Sequence, residues 1–341
     1  MRYLIVKTSS IGDLVHTFPV LEYLKKQDPE ALIDWMVEGS FADLIEAHPL
    51  VSRVIRVNTR QWRRGRLLHE IPLFYDKLRE KEYDLLIDLQ GNGKSALLAL
   101  CARSKKRICF AHPTLPEKWN YLLWAKRYRV SMNSDVRLRY LELVQQHFKD
   151  QAPFVAQEVV LKAETSALPD THSLRLMVSP GSNWKNKRLQ DAQLMDLLDQ
   201  IHKAFSVSFF FTAGNLAEES LLKRLQDRYS NSQAVIRPRL SEWQALMRQM
   251  DGVIAMDSAA LHLAATTNTP TFSFFGPSSS HVYAPKGAQH RFLQGSCPYG
   301  QNFVIRCPKL RSCTTGACLH DLSIQKIFAS LEPWLNTICR K

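Results

Sequence analysis

Four short stretches of this 341-residue chain carry residue types and spacings that could do chemistry together. The first is Ser179 to Arg188, SPGSNWKNKR. Two small serines, Ser179 and Ser182, and a glycine follow an apolar run. Backbone amides in such a turn cradle diphosphate oxygens, and Lys187 adds a point charge. The plain alternative is a βα turn with solvated lysines. The second is Asp257 to His262, DSAALH, after the buried-looking run GVIAM. An Asp-Ser pair leading through Ala259 into a helix places free amides and the positive dipole end against an anion. Asp257 and His262 are five residues apart and need not share a helix face; Asp257 alone reads as a helix cap. The third is Gly214 to Glu219, GNLAEE, where Glu218 could accept from ribose hydroxyls or simply open a helix. The fourth is the N-terminus, MRYLIVKTSSIGDLVHTFPV, whose small polar turn holds Lys7, Ser10 and the carboxylate Asp13. Taken alone, it reads as an ordinary βα unit.

Cysteines form a separate group. Cys297, Cys307, Cys313 and Cys318 fall within twenty-two residues, without the CxxC pair of common zinc spacings. A structural zinc or iron site and a set of reduced thiols are both open readings. No Asp-x-Asp metal motif stands out, so cations and amides, without a catalytic metal, are expected to steady a leaving diphosphate.

The elements that must position these residues alternate regularly. Apolar runs at Leu4–Val6, Ile33–Val37, Val54–Val57, Leu85–Leu89 and Lys105–Phe110 read as strands separated by helical stretches. Periodicity fades between Lys149 and Ser173 and resumes with strands at Leu174–Val178, Val207–Thr212, Gly252–Met256 and Pro270–Phe275. This is repeated βαβ patterning, which predicts α/β units with parallel sheets covered on both faces. The expected organisation is two Rossmann-like domains over a cleft, residues 1–165 and 172–320, with a C-terminal helix at 321–341 packing back on the first.

Two stretches break the rhythm. Thr59 to Leu68, TRQWRRGRLL, packs four arginines around Trp62, and Trp119 to Arg129, WNYLLWAKRYR, mixes aromatics with cations. They read either as solvated faces with snorkelling stems or as flaps for an anionic, partly apolar acceptor. The net charge of +13 favours an anionic partner: nucleic acid, anionic membrane, or a phosphorylated or carboxylated substrate. No helix-turn-helix, zinc-finger or single-strand-binding signature accompanies it, so nucleic acid is not the expected partner. No apolar run approaches the ~18 residues of a membrane span and no export signal is evident, so a cytoplasmic protein is expected.

Together, KTSSIGDLVHTFP, IDWMVE, RQWRR, IDLQGNGKSA, PGSNWKNKR, GNLAEE, MDSAALHLA and FFGPSSSHVYAPKG resemble the lipopolysaccharide heptosyltransferases of glycosyltransferase family 9, most closely the heptosyltransferase I type. The resemblance spans nearly the whole chain and implies a GT-B fold. It also implies inverting transfer of heptose from ADP-heptose to a Kdo-lipid A or inner-core acceptor, at the cytoplasmic face of the inner membrane. The protein would associate there peripherally with an anionic surface. ADP-heptose would serve as a substrate, with no cofactor. Carried over, Asp13 is the general base. Lys187 meets the donor phosphates, with Ser182, Asp257, Ser258, Ala259 and His262 in the donor motifs and Glu218 at the donor ribose. Lys7, Ser10, Arg60, Arg63 and Arg64 face the anionic acceptor. The chain departs from the pattern in four places: Ala259 stands where the family has glycine, Leu189 where it has tryptophan, Ser134 or Asp135 where it has a histidine before the helix ending the first domain, and the four-cysteine tail is not a heptosyltransferase I feature. Alternatives are a family 9 enzyme with another sugar or a later core acceptor, a nucleotide-sugar epimerase, and a non-enzymatic polyanion-binding module.

Overall fold

A computed structural model of the chain describes residues 1–339 apart from 165, 170 and 215–217. The chain divides into two compact units, Met1–Lys162 and Ala163–Lys341.

In the first unit, β1 (Arg2–Val6), β2 (Leu32–Glu38) and β3 (Arg53–Val57) are followed by the short β4 (Glu82–Tyr83) and then β5 (Leu85–Asp88). The short β6 (Arg103–Ser104), then β7 (Arg107–Phe110) and β8 (Lys126–Tyr128), complete the set. The main sheet runs β3-β2-β1-β5-β7-β8, all parallel, and β4 pairs with β6 beside it. Consecutive residues Leu4, Ile5 and Val6 are all buried, as a strand covered on both faces requires. On one face, Leu4, Val6, Met36, Ile55, Val57 and Leu86 pack against helices Glu70–Arg79 and Gly93–Leu100. The intervening side chains face helices Phe18–Gln27 and Val136–Phe148: Trp35 meets Phe18 edge-on at 6.4 Å, and Tyr3 meets Phe148 at 6.5 Å.

The second unit repeats the plan. Its strands are β9 (Leu174–Ser179), β10 (Val207–Ala213), β11 (Ser232–Ile236), β12 (Gly252–Met256), β13 (Thr271–Phe275) and β14 (His290–Gln294). They run in the order β11-β10-β9-β12-β13-β14, again all parallel. In both units the order reverses beside the first strand, between β1 and β5 and between β9 and β12. Ligands of open α/β sheets bind at such switch points, off the carboxyl ends of the strands.

The last helix, Ile324–Ile338, puts its stripe Ile327, Leu331, Trp334, Leu335 and Ile338 into the core of the second unit. The 3.6-residue period puts all five on one face. Gly252 makes the seat possible, since a Cβ there would meet the Trp334 ring at 2.7 Å.

Candidate active site

The switch point of the second unit collects the stretches expected to bind a donor. β9 ends at Ser179, and the loop that follows carries Ser182, a one-turn helix Lys185–Lys187, and Arg188. β12 ends at Met256, so Asp257 comes directly off its carboxyl end. The Asp257 amide donates to Phe274 O at 3.1 Å, which fixes the turn against β13. Lys187 Nζ then donates to Asp257 Oδ2 at 2.6 Å, and His262 Nε2 lies 3.6 Å from Asp257 Oδ1. All three groups are largely buried. Burial alone would raise the Asp257 pKa, but His262 and Lys187 reverse this and hold it well below the usual carboxylate range. The capping reading of Asp257 gives way, because Ser258 occupies the N-cap of helix Ala259–Ala264. Ser258 Oγ is buried without a hydrogen-bond partner. An orphaned hydroxyl at the mouth of a helix N-terminus is what a bound anion would satisfy.

Glu218 stands off the end of β10, in the neighbouring loop. It is buried, accepts from the Gly214 amide at 3.0 Å, and pairs with Arg188 at 3.2 Å. Asn215, Leu216 and Ala217 of the GNLAEE stretch lie outside the described residues. Arg188 Nε also donates to Ser182 O at 2.7 Å, tying the lysine-bearing loop to the Glu218 loop. A Cβ at Gly181 would crowd the Glu218 carboxylate, so glycine there leaves that side chain its place. Beside this pair lies a small hollow. Leu189, Leu194, Leu221 and Met256 form its apolar wall, and Arg188 and Glu218 supply polar edges.

The first unit's switch point holds the N-terminal turn. Asp13 is the third residue of the short helix Ile11–Val15, and its Oδ2 accepts from the Ser10 amide at 3.2 Å and the Ser10 hydroxyl at 3.0 Å. This reach back to the N-cap holds a partly exposed carboxylate in one place. Lys7 is placed differently from expectation. It is only 4% exposed and donates to Leu89 O at 3.0 Å and Tyr140 Oη at 2.9 Å. Burial would lower its pKa, but Tyr140, Asp13 and Asp88 carry it above the ordinary ammonium value. Its charge is directed inward, as a support for the turn. Arg60, Arg63 and Arg64 lie on and just beyond helix Thr59–Trp62, exposed, and have no ion-pair partner among the described residues.

Asp88 and Gln90 are structural parts that sequence reasoning missed. Gln90 Oε1 accepts from the Thr8 and Ser9 amides at 2.9 and 3.2 Å, so it shapes the loop that presents Ser10 and Asp13. Asp88, fully buried, accepts from the Gln90 and Gly91 amides at 3.0 Å each, from Ser95 at 2.9 Å and from Asn120 at 2.6 Å. Burial raises its pKa against the pull of these donors. Both lie in the stretch IDLQGNGKSA, which carried the resemblance without giving either residue a role.

The four tail cysteines are free and half-buried. Burial pushes the Cys318 thiol up to about 11, and Cys313, Cys297 and Cys307 add to the effect. Among the described residues, no group of three or more His, Cys, Asp or Glu is arranged to hold a metal ion. No described helix is long and apolar enough to cross a membrane.

With this geometry in place, comparison with known proteins is informative. The family profile of glycosyltransferase family 9 (heptosyltransferase) matches residues 73–311. Lipopolysaccharide heptosyltransferase 1 of Pseudomonas aeruginosa is 30% identical over 303 residues, covering 87% of this chain and 85% of that protein. The solved structure of Escherichia coli heptosyltransferase WaaC with ADP-2-deoxy-2-fluoro heptose superimposes with a TM-score of 0.78 at 23% identity, covering 98% and 99% of the two chains. E. coli ADP-heptose lps heptosyltransferase II gives 0.76 at 18% identity, covering 99% of each chain. The architecture is thus α/β of the GT-B class, and the chain belongs to glycosyltransferase family 9, the heptosyltransferases.

Proposed function

We propose that this chain transfers heptose from ADP-heptose to the Kdo-bearing inner core of lipopolysaccharide, with inversion. The observation that carries the donor half is the buried Lys187–Asp257–His262 set beside the orphaned Ser258 hydroxyl, next to the hollow edged by Arg188 and Glu218. A diphosphate on the Ser182 loop and the Ser258–Ala259 helix start would direct the nucleoside toward that hollow, with its ribose at Glu218. The ammonium of Lys187 has three donors and gives one to Asp257, so it keeps hydrogens for phosphate oxygens. The similar WaaC structure contains an ADP-heptose analogue, which supports the choice of donor.

In the transfer step, an acceptor hydroxyl attacks the anomeric carbon as the bond to the diphosphate oxygen breaks. The electron pair departs with ADP, where Lys187 and the loop amides stabilise the developing charge. The hydroxyl proton passes to Asp13, whose carboxylate is held by Ser10. Arg60, Arg63 and Arg64, unpaired within the described residues, supply forks for acceptor carboxylates and phosphates. A lipid-borne acceptor implies peripheral association with the cytoplasmic face of the inner membrane. The test is incubation with ADP-heptose and a panel of Kdo-lipid A and heptosylated acceptors, read by mass spectrometry. Transfer to Kdo-lipid A supports the reading. Transfer only to heptosylated cores moves the enzyme to a later step, and ADP-heptose left untouched by every acceptor overturns it.

A further inference from the structure

We propose that the first unit carries a built lipid-docking surface, and that its occupant is an anionic lipid surface. This deepens the peripheral association proposed above and rests on it. The surface is the outer side of one layer: helices Glu70–Arg79 and Gly93–Leu100, the turn Lys118–Leu122 and the residues just after it. These elements bury their inner sides in a single cluster on one face of the sheet, through Phe74, Leu78, Ala96, Ala99 and Leu123. Their outer sides are unusually apolar. Leu73 is 67% exposed, Leu97 58%, Trp119 73% and Trp124 87%, with Tyr121 and Leu122 also exposed. The helices Phe18–Gln27 and Val136–Phe148 on the opposite face expose only one large hydrophobic residue, Leu138. Scattered exposed hydrophobics are ordinary, but a layer that gathers them marks an interaction surface.

The aromatic turn is held in place. Arg127 donates to Asn120 O at 2.8 Å and Leu123 O at 3.0 Å, and its guanidinium lies over the Tyr121 ring at 4.2 Å. Asn120 donates in turn to Asp88, the residue that also fixes the Gln90 turn and through it the Thr8–Ser10 loop. The exposed rings are therefore built on the same pillar as the loop carrying Asp13.

Charge identifies the occupant. On this layer, helix Glu70–Arg79 balances Glu70 and Asp76 against Lys77 and Arg79, while from Gly93 to Arg129 the chain holds nine Lys and Arg, of which Lys105 pairs with Asp84, and one acid, Glu117. Glu117 accepts from the Gly93 amide. Lys94, Lys118 and Lys126 are exposed without an ion-pair partner among the described residues. Two copies meeting on this face would set like charges against each other. An anionic bilayer instead neutralises the lysines and receives the indole and phenol rings at headgroup depth.

The test is co-sedimentation of the full chain with vesicles of phosphatidylcholine, with or without phosphatidylglycerol. The wild type should bind the anionic vesicles and only weakly the neutral ones. The double variant Trp119→Ser/Trp124→Ser should lower the partition coefficient about tenfold or more. Lys94→Gln and Lys118→Gln should each lower it by roughly fivefold. All four side chains are exposed, and an unchanged circular-dichroism spectrum and thermal unfolding curve would show that the variants are folded. If the wild type binds but the tryptophan variant binds equally well, this surface is wrong while peripheral association stands. A wild type that ignores both vesicles overturns the surface and the association together, leaving heptose transfer to be judged with a soluble acceptor. A dimer in sedimentation velocity that the tryptophan variant splits, without vesicle binding, assigns the face to a second copy instead.

Discussion

At the switch point of the second unit, charge is buried and paired: Lys187 with Asp257, Asp257 with His262, Arg188 with Glu218. In the first unit, on the same strand order, Arg60, Arg63 and Arg64 stand exposed, and the partly exposed Asp13 is steadied by Ser10 of its own turn. On the proposed function, the difference follows the size of what each unit has to hold. A nucleoside diphosphate is small enough to be enclosed, so its cation can be desolvated and fixed beforehand, where each charge-assisted bond is strong. A lipid-borne saccharide is too large to enclose, so its contacts remain in water, screened and individually weak. The buried lysine needs Asp257 as a partner when no donor is bound, because an unpaired buried charge is costly. The exposed arginines need none.

That contrast can be broken or sharpened by measurement. The largest effect is expected from Asp13→Ala, which should cut transfer by about 10²–10⁴-fold, while ADP affinity, set in the other unit, stays the same. Retained turnover would remove Asp13 as the base. Next is acid stability, where the first unit carries a particular weakness. His48 is buried, its Nδ1 accepts from the Leu50 amide, and burial pushes its pKa down to about 3. The folded state refuses a proton that the unfolded chain takes up below about 6.5, so this contribution is complete above that pH and is lost as pH falls toward 3. Its full loss is on the order of 4 kcal/mol. His48→Gln keeps an acceptor for Leu50 and should flatten the dependence of unfolding free energy on pH between 6.5 and 3. Comparing variant with wild type cancels Asp88, whose raised pKa acts in the opposite sense. An unchanged slope would show that His48 titrates normally.

Lys187→Ala should weaken ADP-heptose binding by roughly 10–100-fold in calorimetry. It should also lower Tm, because the buried Asp257 would lose its lysine partner. Unaltered donor affinity would sink the phosphate role of Lys187. The smallest effect is expected from Arg63→Ala/Arg64→Ala. Acceptor KM should rise by about three- to tenfold with kcat little changed, and the difference should shrink as salt is added. A loss confined to kcat would mean that these arginines act on the reacting atoms and not on the bound acceptor.

Central strands were legible because they are buried on both faces. The run GVIAM matched Gly252–Met256 without adjustment, and LLIDL was off by one residue against Leu85–Asp88. Of the four edge strands only β3 was legible, read at Val54–Val57, where Val54, Ile55 and Val57 are buried. β8, β11 and β14 are only partly buried, so their residues carry no continuous apolar run, and none was identified. The C-terminal helix was recognised, and its stripe is buried in the second unit's core. Amphipathicity shows that a helix has a face to bury and not what will cover it.

The sequence by itself determined the two parallel α/β units, the loops that follow their central strands, and the family. Those depend on local apolar period and on short motifs held in order along the chain. Only the tertiary structure decided which charges meet. Asp257 reaches Lys187 across seventy residues, Glu218 reaches Arg188 across thirty, and Lys7 turns inward to Tyr140. Such pairings depend on strand order and on how deeply each group is removed from water, and neither is written in the spacing of residue types.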